Sequence, residues 1–159
     1  MESLISIEKY HYGILKKDVL KLKKAYQKIK IDTIGKSTLK EEIFLLKIGI
    51  GNKKLMINSA HHANEWITSL VIMMFLEKLL YHENEKILYK NYNIQQILKN
   101  ITLYIIPMVN PDGVNFCLKN MKNEEYLKKW KKYEKELDRW KANINGVDLK
   151  NYQPFCKVL

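Results

Sequence analysis

The chain has 159 residues, 47% apolar and 11% aromatic, a composition that suits one folded domain and excludes disorder. Its formal charge is +11, from 28 Lys and Arg against 17 Asp and Glu, but Arg139 is the only arginine and the lysines are interleaved with glutamates. Proteins that read bases or fork phosphates lean on arginine, so no nucleic-acid partner is expected. Cys117 and Cys156 are too few for a disulfide framework. The stretch Met1–Lys9 lacks a basic region followed by an apolar one, and the apolar run Leu70–Leu76 is too short to cross a bilayer. These features predict a cytoplasmic protein with no membrane partner.

In chain order, Leu15, Val19, Leu22, Tyr26 and Ile29 step by four and three and predict an amphipathic helix starting near Asp18 or slightly before. Gly35-Lys36-Ser37 reads as a turn, Glu42–Ile48 as a strand, Gly49-Ile50-Gly51-Asn52 as a hairpin turn and Lys53–Asn58 as the next strand. Glu65–Tyr81 is a helix, apolar nearly all round between Leu70 and Leu76 and therefore expected to be buried. A short helix follows around Ile94–Leu98. The run Ile101–Val109 reads as a central strand ending in the turn Asn110-Pro111-Asp112-Gly113. Tyr126, Trp130, Tyr133, Leu137 and Trp140 predict a surface helix whose aromatic stripe serves packing. Strands and helices alternate, so the class is α/β, in a single domain over residues 1–159 without repeats or linkers.

The chemistry sits where a strand pattern gives way to a helix pattern, at Ser59-Ala60-His61-His62-Ala63-Asn64-Glu65-Trp66. On a first helical turn, His62 and Glu65 can point at one spot, and imidazole with carboxylate is the ligand pair of hydrolytic zinc. The spacing alone is common in solvated helix starts. In order along the chain, however, Gly35-Lys36-Ser37, Glu42–Gly49, the His62-x-x-Glu65 segment, Pro107–Gly113 and Trp140-Lys141-Ala142-Asn143 with Gly146-Val147-Asp148-Leu149 resemble the zinc carboxypeptidase family. The nearest likeness is to its bacterial branch of γ-D-glutamyl-diaminopimelate peptidases.

That resemblance implies the N-terminal part of a carboxypeptidase-like mixed β-sheet flanked by helices, incomplete at the C-terminus. It implies Zn2+ as cofactor, a peptide substrate that includes cell-wall peptides, and hydrolysis of the metallopeptidase type. By position, His62 and Glu65 match the first two zinc ligands, and His61, one residue early, reads as structural. Asn64 stands where the digestive enzymes carry an arginine. Lys141 stands at an oxyanion-stabilising arginine and is the candidate substrate-binding residue; it reads equally as one more solvated lysine. Asp112 is a candidate for orienting a zinc-ligating histidine.

The sequence then departs from the pattern. Lys150 and Asn151 replace an Asn-Arg pair that holds a substrate carboxylate, and no third histidine ligand or general-base glutamate follows. His82 lies seventeen residues beyond Glu65 on one helix pattern, about 25 Å away at the helical rise. No catalytic residue is therefore assigned, and impaired activity is expected. The loss of later strands would leave Ile101–Val109 at an exposed edge. The alternatives are a non-catalytic remnant, a fragment that depends on a partner chain, and a basic binding protein acting through its lysines.

Overall fold

In a computed structural model of the chain, residues 3–149 are described. The elements are α1 (Tyr12–Ala25), β1 (Lys30–Lys36), β2 (Glu42–Gly49), β3 (Lys53–Asn58), a 3-10 turn (Ala63–Glu65) running into α2 (Trp66–Glu85), α3 (Ile94–Asn100), β4 (Ile101–Ile106), α4 (Pro111–Cys117), α5 (Glu124–Lys129) and a 3-10 segment (Lys131–Arg139). The sheet order is β1-β2-β4-β3. β2 pairs antiparallel with both β1 and β4, and β3 lies parallel to β4. This is the expected mixed α/β sheet. A parallel pair cannot be joined by a tight turn, and α2 and α3 supply the crossover from β3 to β4.

Alternation in β2 explains how the sheet meets its helices. Phe44, Leu46 and Ile48 are buried, while Ile43, Leu45 and Lys47 on the other face are only partly so. Leu46, Ile48, Leu103 and Ile105 join Leu15, Val19 and Leu22 of α1 and Met73, Leu76 and Leu80 of α2 in one core. Each such fully buried side chain contributes about 1.5–3 kcal/mol over its exposed state. The apolar girth of α2 is covered on one side only: Ile67, Val71, Met74 and Phe75 are exposed, contrary to the expectation of a buried helix. No helix among the described residues is long and apolar enough to cross a membrane.

Two strand assignments are corrected. Gly49–Asn52 does not close a hairpin, because β4 inserts between β2 and β3. The loop instead lies against the junction of α3 and β4, with the Ile50 amide donating to the Leu98 carbonyl at 2.9 Å and Thr102 Oγ1 donating to the Gly51 carbonyl at 2.7 Å. Gly51 permits this approach, since a Cβ there would sit 1.9 Å from the Asn100 carbonyl carbon. For the same reason Ile101–Val109 is not an edge. Among the described residues the edges are β1 and β3, and Leu55 and Met56 of β3 are 51% and 46% exposed.

Other boundaries moved for local reasons. Lys30–Lys36, not expected as a strand, forms β1 with a bulge between Thr33 and Gly35, so the turn expected at Gly35-Lys36-Ser37 falls instead at Ser37–Glu41. Asn110-Pro111-Asp112-Gly113 opens α4: the Asn110 side chain caps the Gly113 amide and Pro111 occupies the first turn. The aromatic stripe is carried by two short pieces, α5 and a 3-10 segment with a kink at Glu136. It does pack: Phe116, Leu137 and Ile144 form a second small core against Tyr126, Trp130 and Trp140.

The N-terminal stretch is held by buried carboxylates. Asp18, fully buried, accepts from the Ser6 amide at 2.9 Å, Tyr10 Oη at 3.0 Å and Lys21 Nζ at 2.8 Å. Glu77 accepts from Ser3 Oγ at 2.7 Å and from the Leu4 amide. α1 starts at Tyr12 rather than near Asp18 because His11 caps it, with Nδ1 accepting from the Gly13 amide at 3.1 Å and from Asn120 Nδ2 at 3.0 Å.

That cap needs a neutral imidazole, and burial, followed by Lys17, lowers the His11 pKa below 6.5 against the opposing pull of Glu8. Its contribution to stability is therefore present above the unfolded value and is lost as pH falls through the lower folded value. His11→Asn keeps a capping acceptor without a proton to gain. Thermal melts between about pH 7 and 5 are expected to fall less steeply in this variant than in the native chain; equal slopes would contradict the assignment.

Candidate metal centre

The β3–β4 pairing continues past the strand ends and builds the floor of the site. The Ser59 amide donates to the Ile106 carbonyl at 3.1 Å, the Val109 amide to Ser59 at 3.0 Å and the Asn110 amide to Ala60 at 3.1 Å. Ala60 is buried with a φ of 49°, a left-handed conformation that costs an alanine about 1–2 kcal/mol. It is held there by its amide donating to Thr68 Oγ1 at 3.0 Å, while the Thr68 hydroxyl donates to the Glu65 carbonyl at 2.7 Å. This bend turns the chain from β3 towards α2 and delivers His61 and His62 to the C-terminal end of the parallel pair.

His62 precedes the 3-10 turn, and its carbonyl accepts from the Glu65 amide at 3.1 Å. A 3-10 turn has three residues per turn, so side chains three apart eclipse. His62 Nδ1 and Glu65 Oε1 accordingly stand 2.9 Å apart. At that distance the two are hydrogen-bonded to each other; two ligands about 2.0–2.2 Å from a tetrahedral zinc lie roughly 3.4 Å apart, so the pair would have to part slightly to share a metal. His62 is the more enclosed of the two, its side chain 12% exposed against 49% for Glu65. Among the described residues no third His, Cys, Asp or Glu joins them in a group able to enclose a metal ion.

On the other side of the imidazole, Asp148 Oδ1 lies 3.4 Å from His62 Nε2, an ion-pair distance without hydrogen-bond geometry, since Nε2 is buried without a hydrogen-bond partner among the described residues. A carboxylate behind the distal nitrogen of a ligating histidine fixes the ring and raises its basicity. Asp148 was not singled out in the sequence, although Gly146-Val147-Asp148-Leu149 belongs to the segments that carried the resemblance. The orienting role expected of Asp112 is corrected: its two oxygens accept from Ser37 Oγ at 2.7 Å and the Leu39 amide at 2.9 Å, tying the β1–β2 turn to α4.

His61 points away from Glu65, with Nε2 2.9 Å from Asn58 Oδ1, in keeping with a structural residue. Burial, and then the neighbouring His62, lower its pKa, with Glu65 pulling the other way. Lys141 is brought beside the centre by its backbone, whose carbonyl accepts from the Ala63 amide at 3.0 Å; the residue itself is exposed. Asn64 Oδ1 and Trp140 Nε1 are buried without a hydrogen-bond partner among the described residues. Lys150 and Asn151, the departures from the family pattern, lie outside the described residues.

Asn110 locks these pieces together. Its Nδ2 donates to the carbonyls of His61 at 3.1 Å and Ala142 at 3.2 Å, while Oδ1 accepts from the Gly113 amide at 3.1 Å. Gly113 must lack a side chain, because a Cβ would meet the Asn110 amide at 2.6 Å and the Ala142 carbonyl at 2.7 Å.

The described residues thus form a mixed sheet with a His/Glu pair at the C-terminal end of its parallel strands. The zinc carboxypeptidase family profile matches residues 17–156, and the chain belongs to that family. It is 36% identical over 151 residues to the gamma-D-glutamyl-L-diamino acid endopeptidase 1 of Lysinibacillus sphaericus, covering 92% of this chain and 38% of the relative. Carboxypeptidase B2 of Bos taurus is 28% identical over 90 residues, covering 54% of this chain and 20% of the relative. Among solved structures, the thrombin-activatable fibrinolysis inhibitor superposes with a TM-score of 0.65 at 20% identity over 89% of this chain and 32% of that one. Carboxypeptidase A of Helicoverpa armigera gives 0.62 at 20% identity over 89% and 30%. These two show the shared fold. The chain thus spans well under half the length of these relatives.

Asn110→Asp preserves the cap but replaces the amide donor by an acceptor facing the His61 and Ala142 carbonyls. Leaving two partly buried carbonyls unpaired is expected to cost about 1–3 kcal/mol in denaturant unfolding. A loss below about 1 kcal/mol would show that the bridge carries little.

Proposed function

We propose that this chain is part of a zinc metallopeptidase domain, spanning residues 1–159, that supplies the first half of the metal site. The reading rests on the 2.9 Å convergence of His62 Nδ1 and Glu65 Oε1 in a family of zinc enzymes. His62 and Glu65 would hold the ion, and Asp148 would orient the His62 ring from behind. A metal bound there supplies Lewis-acid polarisation of a scissile carbonyl and acidification of a water. Lys141, on the strand of chain bonded to Ala63, would offer a positive charge to developing negative charge on the substrate; a lysine gives the charge without the fork of an arginine. The substrate class is a peptide, and the Lysinibacillus sphaericus relative favours the γ-D-glutamyl peptides of cell walls.

Two donors hold zinc weakly against water, and the described residues offer no third ligand grouped with the pair. The 159-residue chain by itself is therefore read as impaired. The competing reading, a non-catalytic remnant or a fragment completed by a partner chain, rests on the same observation. Zinc titration by calorimetry separates them from an intact enzyme. The 159-residue chain should bind zinc far more weakly than a closed three-ligand site, and His62→Ala should abolish what binding there is. One tightly held equivalent of zinc, with γ-D-glutamyl peptide hydrolysis that His62→Ala removes, would overturn the impairment.

Asp148→Asn tests the orienting role apart from ligation. Loss of such a partner weakens metal binding by about 10- to 100-fold while both ligands remain. Unchanged zinc affinity in Asp148→Asn would remove Asp148 from the site.

A further inference from the structure

We propose that the end of the sheet remote from His62 carries a binding cleft for a base-free linear polyanion, a chain of regularly spaced phosphate groups. A cleft of about 980 Å3 opens there, lined by Lys28, Lys30, Lys47, Lys54, Lys86 and Lys99. Its one acidic lining residue, Glu83, is nearly buried and paired with Lys28. The other five lysines have no acidic partner among the described residues.

These five come from five separate elements: β1, β2, β3, the C-terminal cap of α2 and the last turn of α3. They are not one solvated helix face. Lys86 and Lys99 have a local rationale, since cations are favoured at helix C-termini. Of the sheet lysines, Lys30 and Lys54 lie on edge strands, where lysine discourages edge pairing, but that does not require them to face one cleft together with Lys47. Lys30 stands directly opposite Lys47 in the β1–β2 register, and like charges so placed destabilise a sheet. Lys47 is held over the Tyr104 ring at 5.3 Å, and Lys54 lies in the register opposite Thr102, two residues along the same strand from Tyr104. The sheet thus retains an unfavourable concentration of positive charge at one end, which an anion would relieve.

The chemistry selects among polyanions. Lysine is a point charge suited to single spaced anions, and the chain's only arginine, Arg139, is not in this cleft. A nucleic-acid strand calls for aromatic platforms on which bases stack. Tyr104 is the one aromatic ring in the lining, and Lys47 covers it. A concave cleft admits a chain more readily than a flat lipid surface. The length of β3 separates the cleft from His62, so occupancy is independent of the metal pair.

The test is fluorescence anisotropy of end-labelled inorganic polyphosphate with the 159-residue chain. The triple variant Lys30→Gln, Lys47→Gln, Lys54→Gln is compared with Lys122→Gln, Lys128→Gln, Lys135→Gln, which removes the same charge elsewhere. The cleft variant is expected to bind at least about 10-fold more weakly, and to lower the log–log salt slope by about 2 for three lost contacts, with the control within about 2-fold of native. Because the variant removes opposed like charges, its melting temperature should be unchanged or higher, which separates lost binding from lost fold. Equal weakening by both triple variants would overturn the proposal in favour of a net-charge effect. Tighter binding of a thymidine oligonucleotide of matched charge, or binding of phosphatidylglycerol vesicles without binding of polyphosphate, would overturn it in favour of those partners.

Discussion

The buried amide of Asn110 is the interaction on which the rest of the centre depends. One side chain caps α4, holds the carbonyl of His61 and holds the carbonyl of Ala142. Three chain segments far apart in sequence meet there: the bend after β3, the end of β4 and the loop after Trp140. An amide is the one short side chain that donates twice and accepts at the same site. A buried network of this kind rigidifies only when fully satisfied, and Gly113 is without a Cβ so that the Ala142 carbonyl can come close enough.

With that joint in place, the parallel pairing of β3 and β4 brings both strand ends to the same side. Ligand sites in α/β sheets gather at the carboxyl ends of strands for this reason. The left-handed bend at Ala60 then redirects the chain within two residues, and the 3-10 turn eclipses His62 with Glu65. The strain of the bend is small beside the packing and ladder bonds around it.

Acidic side chains are spent on the interior. Asp18, Glu77, Glu83 and Asp112 are all buried, and each has hydrogen-bond or ion-pair partners that tie the N-terminal stretch, the end of α2 or the β1–β2 turn. Buried carboxylates are tolerated only with such partners. Two of them, Asp18 and Glu83, pair with the exposed lysines Lys21 and Lys28.

Much of this was legible in the sequence by itself. Period-two alternation in Glu42–Gly49, the apolar run of β4 and the strand-to-helix switch at His62 are local patterns, and they determined the α/β class, β2, β3, β4 and the His62–Glu65 pair, while β1 was not read as a strand. What the sequence could not decide were relations between segments. Gly49–Asn52 looks like a hairpin because hairpins are the local default; β4 takes the place beside β2 only once the crossover through α2 and α3 returns the chain. Asp112 and Asp148 are equally plausible second partners for His62 in one dimension. Only the tertiary structure turned Asp112 towards Ser37 and set Asp148 behind the imidazole, because which carboxylate faces a ring depends on how distant segments pack, and that information is in no short window of the chain.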